Sequence, residues 1–110
     1  KGKEALMQLA ESIKNMDDIN IMVEGHTDDV PITTSCIKDN WDLSVLRATS
    51  ILRILVNEGN VDGKRFVAAG RGEFYPIDPA KTPQARAKNR RTEIIISPKL
   101  DEVLRLLESN

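Results

Sequence analysis

The chain has 110 residues, 40% hydrophobic and 30% charged, enough for one domain and far from the low-hydrophobicity, high-charge balance of disorder. With 16 basic and 17 acidic residues the formal net charge is -1, so no global field is available to hold a nucleic acid backbone or an anionic membrane. No apolar stretch reaches the roughly 20 residues that span a bilayer, and the opening KGKEALMQLAESIK is not a signal peptide; membrane contact is expected only through a segment outside this sequence.

Residues 3 to 16 place Leu6, Leu9, Ala10, Ile13 and Met16 at three- and four-residue spacings, the apolar stripe of a helix. Ile19, Ile21 and Val23 alternate with Asn20, Met22 and Glu24, which predicts a strand with Gly25 at its end. From His26 to Trp41 the chain reads HTDDVPITTSCIKDNW without periodicity, and a loop this long in a compact domain is more often functional than a plain connection. Cys36 stands alone in it, which excludes an internal disulfide and a thiolate metal cluster; a partly shielded, inert thiol is expected.

Ser44, or alternatively Asp42, is the expected N-cap of a second helix. Its buried stripe would be Val45, Ala48, Thr49, Leu52, Leu55 and Val56, stopping near Gly59. Arg65 to Ala69 is a short strand candidate, and Gly70 and Gly72 bracket Arg71 where the backbone needs a turn or a close approach. The prolines of GEFYPIDPAKTP argue against a regular element there. Gln84 to Asn89 predicts a short helix and Thr92 to Ser97 a well-buried strand. After Pro98, residues Leu100, Val103, Leu104 and Leu107 predict a last amphipathic helix.

This order implies an α/β (α+β) two-layer sandwich with helices on one face of a small mixed sheet. Residues 1–97 form the expected domain and 98–110 a helical extension. The first two strands, joined through a helix, should run parallel, while the direction of the third is open.

Polar residues gather at the element ends. Thr27 and Asp28 follow the first strand, Asn40 precedes the second helix, Arg47 is placed near that helix's first turn, and Arg86, Asn89, Arg90 and Arg91 crowd a third junction. Groups at strand and helix ends of this kind can converge on one crevice. A cation in a first helical turn opposes the dipole and wants an anion, so Arg47 and the free N–H groups there could grip a carboxylate. The alternative is an ion pair with Asp28, Asp29 or Asp42, or plain solvent exposure. Asp28 is equally readable as a loop-capping carboxylate or, with Arg47, as half of a clamp on a zwitterion, Asp28 taking the ammonium and Arg47 the carboxylate.

Catalytic and cofactor readings find little support. His26 lacks a second ligand at metal spacing and is expected to be a hydrogen-bonded packing residue, so neither metal nor cofactor is predicted. No nucleophile elbow, dinucleotide fingerprint or P-loop is present. The basic run RAKNRR is too short and too isolated for a nucleic-acid site.

Taken together, GHTDD, NWDLSVLRA, GRGEFYP and ARAKNRRTEI resemble the motif series of the OmpA-like C-terminal family of peptidoglycan-binding domains, nearer its MotB-like branch. The resemblance runs from about Lys3 to Ile96 and implies a non-catalytic periplasmic domain that tethers a membrane-anchored protein to the cell wall. Asp28 and Arg47 match the family pair that clamps diaminopimelate of the stem peptide; Thr27, Asn40, Leu43 and Arg90 match positions lining the same site. Arg86, Asn89 and Arg91 match supporting positions that brace loops or touch ligand. The family fold carries a strand before the first helix, which is expected to be missing from this sequence. An alternative role is a protein-interaction or dimerisation module of the cell envelope, working through the last helix and an open sheet edge.

Overall fold

The computed structural model describes residues 2–99. In chain order it contains α1 (Gly2–Lys14), β1 (Ile19–His26), α2 (Asn40–Arg53, continuing as a π turn through Ile54–Glu58), β2 (Phe66–Gly70, after a 3-10 turn at Gly63–Arg65), α3 (Pro83–Asn89) and β3 (Arg91–Pro98). The sheet order is β2-β1-β3. β1 runs parallel to β2, with Ile21 opposite Phe66 and Gly25 opposite Gly70, as expected for neighbouring strands joined by a crossover through α2. β3 returns antiparallel, with His26 opposite Arg91, which settles the direction left open above.

The core follows from the two periodicities. Ala10 and Ile13 of α1 meet Ile21 of β1, Leu55 of the π turn and Val61, while Leu6, Leu9, Ile51, Phe66 and Ile94 pack around them. Full burial of a side chain such as Ile13 or Leu55 contributes about 1.5–3 kcal/mol. Arg65 donates to the carbonyl of Ile13 at 2.7 Å, which also accepts from the Met16 amide at 3.1 Å, and to the carbonyl of Met16 just beyond α1, so it caps the last turn from another part of the chain. No helix among the described residues is long and apolar enough to cross a membrane.

A glycine rung seats α2. A Cβ on Gly25 would lie 1.8 Å from the Ser44 carbonyl oxygen, and one on Gly70 would meet Ser44 Oγ at 2.4 Å and Val45 N at 2.8 Å. Because these two glycines are register partners, the start of α2 descends onto the sheet at the end from which the β1 and β2 loops depart. Asn40, Leu43 and Arg47 are thereby held over that end.

Several expectations change. α2 begins earlier than predicted: Asp39 is its cap, accepting from the amide of Asp42 at 3.1 Å, while Ser44 is fully buried inside the helix. The buried face accordingly runs through Asn40, Ser44, Ala48 and Leu55, and Val45 is exposed. The isoleucines of β3 are less buried than predicted, with Ile95 and Ile96 exposed, because β3 lies at the edge of a sheet covered by helices on one face. Cys36 is exposed rather than shielded. The helix predicted after Pro98 falls on residues 100–110, outside the described residues.

Candidate functional site

The loop between β1 and α2 is ordered by its own side chains. Asp28 Oδ1 accepts from the Val30 amide at 3.0 Å, an Asx turn. Asn40 donates to the carbonyls of Asp28 and Val30, both at 3.2 Å, so the first residue of α2 laces the loop to the helix. Thr27 is buried, and its amide donates to the Gly72 carbonyl at 2.9 Å. Gly72 stands in the left-handed region at φ +61°, where glycine carries no steric penalty. Its own amide donates to Ser44 Oγ at 3.0 Å.

Charges from distant parts of the sequence meet on this frame. Arg90 donates to Asp28 Oδ2 at 2.8 Å. Asp29 accepts from Arg86 at 2.9 Å and Lys81 at 2.6 Å; those two hydrogen bonds hold its carboxyl well below the usual carboxylate range, and the bond to Asp29 raises the Arg86 guanidinium in turn. Asn89 is buried and receives the amides of Ile77 and Asp78 while donating to the Asp78 carbonyl. Arg91 donates to Glu93, to the Asn89 carbonyl and to the Tyr75 carbonyl. The partners of Arg86, Asn89 and Arg91 are therefore neighbouring loops and strands.

Arg47 differs from the other arginines here. With Asp39 as the cap it sits about two turns into α2, so the reading of it as a first-turn cation beside free N–H groups is corrected. None of Asp28, Asp29 and Asp42 pairs with it: the first two hold Arg90, Arg86 and Lys81, and Asp42 accepts from the Lys38 amide. Its Nε is buried and has no hydrogen-bond partner among the described residues. Arg47 lines a groove of about 430 Å³ together with Leu43, Leu46, Ser50, Ile51 and Thr92, and Thr92 is two residues along β3 from Arg90. A cation with an unmet donor beside apolar walls suits an anionic group carried on a short aliphatic chain.

A family model matches residues 1–90, and its description is the OmpA family. The chain belongs to the OmpA family. Within it, the similarity is to MotB-type members: Motility protein B of Bacillus subtilis is 42% identical over 95 residues, covering 83% of this chain and 36% of that protein. The crystal structure of the C-terminal domain of Helicobacter pylori MotB superposes with a TM-score of 0.80 at 25% identity, covering 97% of this chain and 83% of that one. Peptidoglycan-binding protein ArfA of Mycobacterium bovis is 35% identical over 94 residues, covering 86% of this chain and 27% of that protein. The chain thus spans well under half the length of these curated relatives. The crystal structure of the periplasmic domain of Helicobacter pylori MotB also matches, with a TM-score of 0.79 at 26% identity, covering 97% of this chain and 70% of that one.

This OmpA-family domain also has a polar cluster that the sequence reading did not assemble. Glu24, His26 and Glu93 bring their ligand atoms within 4.8 Å of one another. Arg71 donates to Glu24 at 3.1 Å and Arg91 to Glu93 at 2.6 Å, so two guanidiniums already balance the two carboxylates and would oppose a divalent cation. The donor set does not fit a metal; it is an ion network. Burial pushes the Glu24 carboxyl up, but hydrogen bonds from Arg71 and His26 outweigh this and leave it lowered. One signal was readable: Glu24 and His26 are two apart on a strand and share the face opposite Ile21 and Val23.

Proposed function

We propose that the domain binds peptidoglycan non-covalently by gripping the diaminopimelate of the stem peptide, and so anchors the membrane protein or lipoprotein that carries it to the cell wall. In this reading residues 1–97 are the binding unit and 98–110 an extension. The observation that carries it is Arg47, which lines a groove with apolar walls while the neighbouring Asp28 and Asp29 are paired with Arg90, Arg86 and Lys81. Arg47 takes the carboxylate of the ligand's amino-acid end. Asp28 takes the adjacent ammonium: each carboxylate oxygen has two acceptor positions, so the bonds from Val30 and Arg90 leave room for a further donor. Leu43 contacts the methylene chain, and Thr27, Asn40 and Arg90 hold Asp28 in place. The mycobacterial relative, by its name a peptidoglycan-binding protein, agrees with this choice of polymer.

The test is calorimetric titration with a soluble stem peptide containing meso-diaminopimelate, beside one containing lysine. Lysine lacks the second carboxylate, and a lost charge-assisted hydrogen bond of about 1.5–3 kcal/mol corresponds to roughly 10- to 100-fold weaker binding. Asp28→Ala and Arg47→Ala, each shown to be folded, should lose affinity by a similar or larger factor. Equal affinity for both peptides would remove the clamp.

A further inference from the structure

His26 is the only histidine in the chain and is 1% exposed. Its Nε2 lies 2.8 Å from Glu24 Oε1 and 3.7 Å from Glu93 Oε2. Ionised carboxylates only accept, so Nε2 is the nitrogen that carries the proton. From there the contacts close a ring. Glu24 Oε2 accepts from Arg71 at 3.1 Å, and the Arg71 guanidinium lies 4.3 Å from the centre of the Tyr75 ring. The Tyr75 carbonyl accepts from Arg91 at 3.0 Å, and Arg91 returns to Glu93 at 2.6 Å.

The ring joins the ends of all three strands, and each strand leaves it toward the candidate site. His26 is followed by Thr27 and Asp28; Arg71 is followed by Gly72, whose carbonyl accepts from Thr27; Arg91 is preceded by Arg90, the partner of Asp28. His26 and Arg91 are also the final register pair of the β1/β3 ladder. Asp28 and Arg90 therefore emerge from a rung whose two side chains are both committed to the ring.

We infer that His26 is a positioning residue: its Nε2 proton locks the ring, and the ring sets the geometry of the Asp28–Arg90 corner. The network is buried at Glu24 and His26 and half-exposed at Arg71 and Glu93. Among the described residues the His26 Nδ1 has no partner, so the imidazole is held through Nε2, and a network held in this way fixes an arrangement through the bonds it does make. Removing the imidazole donor releases Glu24 Oε1 and leaves the carboxylate held by Arg71 alone, so Arg71 and the Gly72 turn that receives the Thr27 amide are less firmly fixed. The importance of this corner for ligand binding rests on the function proposed above.

The experiment compares His26→Leu, which removes the donor, with His26→Gln, whose amide N–H reproduces the Nε2 proton. Native-state hydrogen exchange on the 110-residue chain reads the corner without any ligand. In His26→Leu the amides of Thr27 and Arg71 should exchange at least about tenfold faster while those of α1 are unchanged, and His26→Gln should restore them. Titration with the meso-diaminopimelate stem peptide should then show at least about tenfold weaker binding by His26→Leu and near wild-type binding by His26→Gln. Unchanged Thr27 and Arg71 exchange in folded His26→Leu, or equal loss of protection in both variants, overturns the inference. If the wild type fails to bind, the functional reading fails and the exchange data still decide this one. Should His26→Leu not fold, Glu93→Gln loosens the same ring at a half-exposed position: faster Thr27 exchange supports the inference, and wild-type exchange overturns it.

Discussion

Glu24 shows how a single buried charge is tolerated beside a binding corner. Its carboxylate is 5% exposed, and burial alone would favour the neutral acid. The donors Arg71 and His26 reverse that preference, leaving its pKa below the ordinary 4.5. A carboxyl lowered in the folded state contributes stability above its unfolded pKa and loses it as pH falls through the folded value. Glu24→Gln leaves Arg71 with a weakened acceptor and should cost about 1–3 kcal/mol at pH 7. Urea unfolding at a series of pH values is expected to show this gap from pH 7 down to about 4.5, narrowing at lower pH as wild-type Glu24 takes up its proton. A gap independent of pH would mean that packing, and not charge, is what Glu24 provides.

At the level of elements, the periodic segments were legible and the decisions that depend on tertiary contact were not. The stripe of α1 as far as Ile13 and the alternation of β1 could be read because burial there follows one period, while Met16 lies exposed beyond the end of α1. The start of α2 could not: Asp39, Asp42 and Ser44 are all good caps. What decides between them is that Asn40 must reach the carbonyls of Asp28 and Val30 and that Ser44 must sit against Gly25 and Gly70. The same shift moved Arg47 away from the first turn. The ring around His26 was illegible for a related reason, since Arg71, Arg91 and Glu93 meet Glu24 only after strand order and direction are fixed. The two α2 roles separate by mutation. Asp39→Ala removes an exposed cap and should cost about 1 kcal/mol. Ser44→Ala strands the buried Gly72 amide and should cost about 1–3 kcal/mol, with faster hydrogen exchange at Thr27 as well. Denaturant midpoints and exchange at Thr27 in the two variants check both; an unaffected Thr27 in Ser44→Ala would uncouple the helix from the turn.

On the scale of the whole molecule, the candidate site belongs to no single element. Asp28 and Asp29 come from the loop after β1, Arg47 from the middle of α2, Lys81 and Arg86 from around α3, and Arg90 from the junction between α3 and β3, so their arrangement exists only in the folded chain. A ligand that needs Asp28 and Arg47 together binds the native state and not the unfolded one, which stabilises the fold by mass action. At a free stem-peptide concentration about 100 times Kd the gain is about 2.7 kcal/mol, and for a domain of this size that raises Tm by roughly 10 °C or more. Asp28→Ala and Arg47→Ala, weakened roughly 10- to 100-fold, should keep only about 0.4–1.4 kcal/mol of this gain at the same peptide concentration, and so about half of the shift or less. Arg86→Ala provides the contrast: it removes one of two cations from Asp29 but leaves Asp28, Arg47 and Arg90 in place, so it should lower the melting temperature without ligand and retain most of the shift on adding it. Loss of the shift in Arg86→Ala as well would mean that the Asp29 tie between loops is part of the binding surface and not only a brace for it.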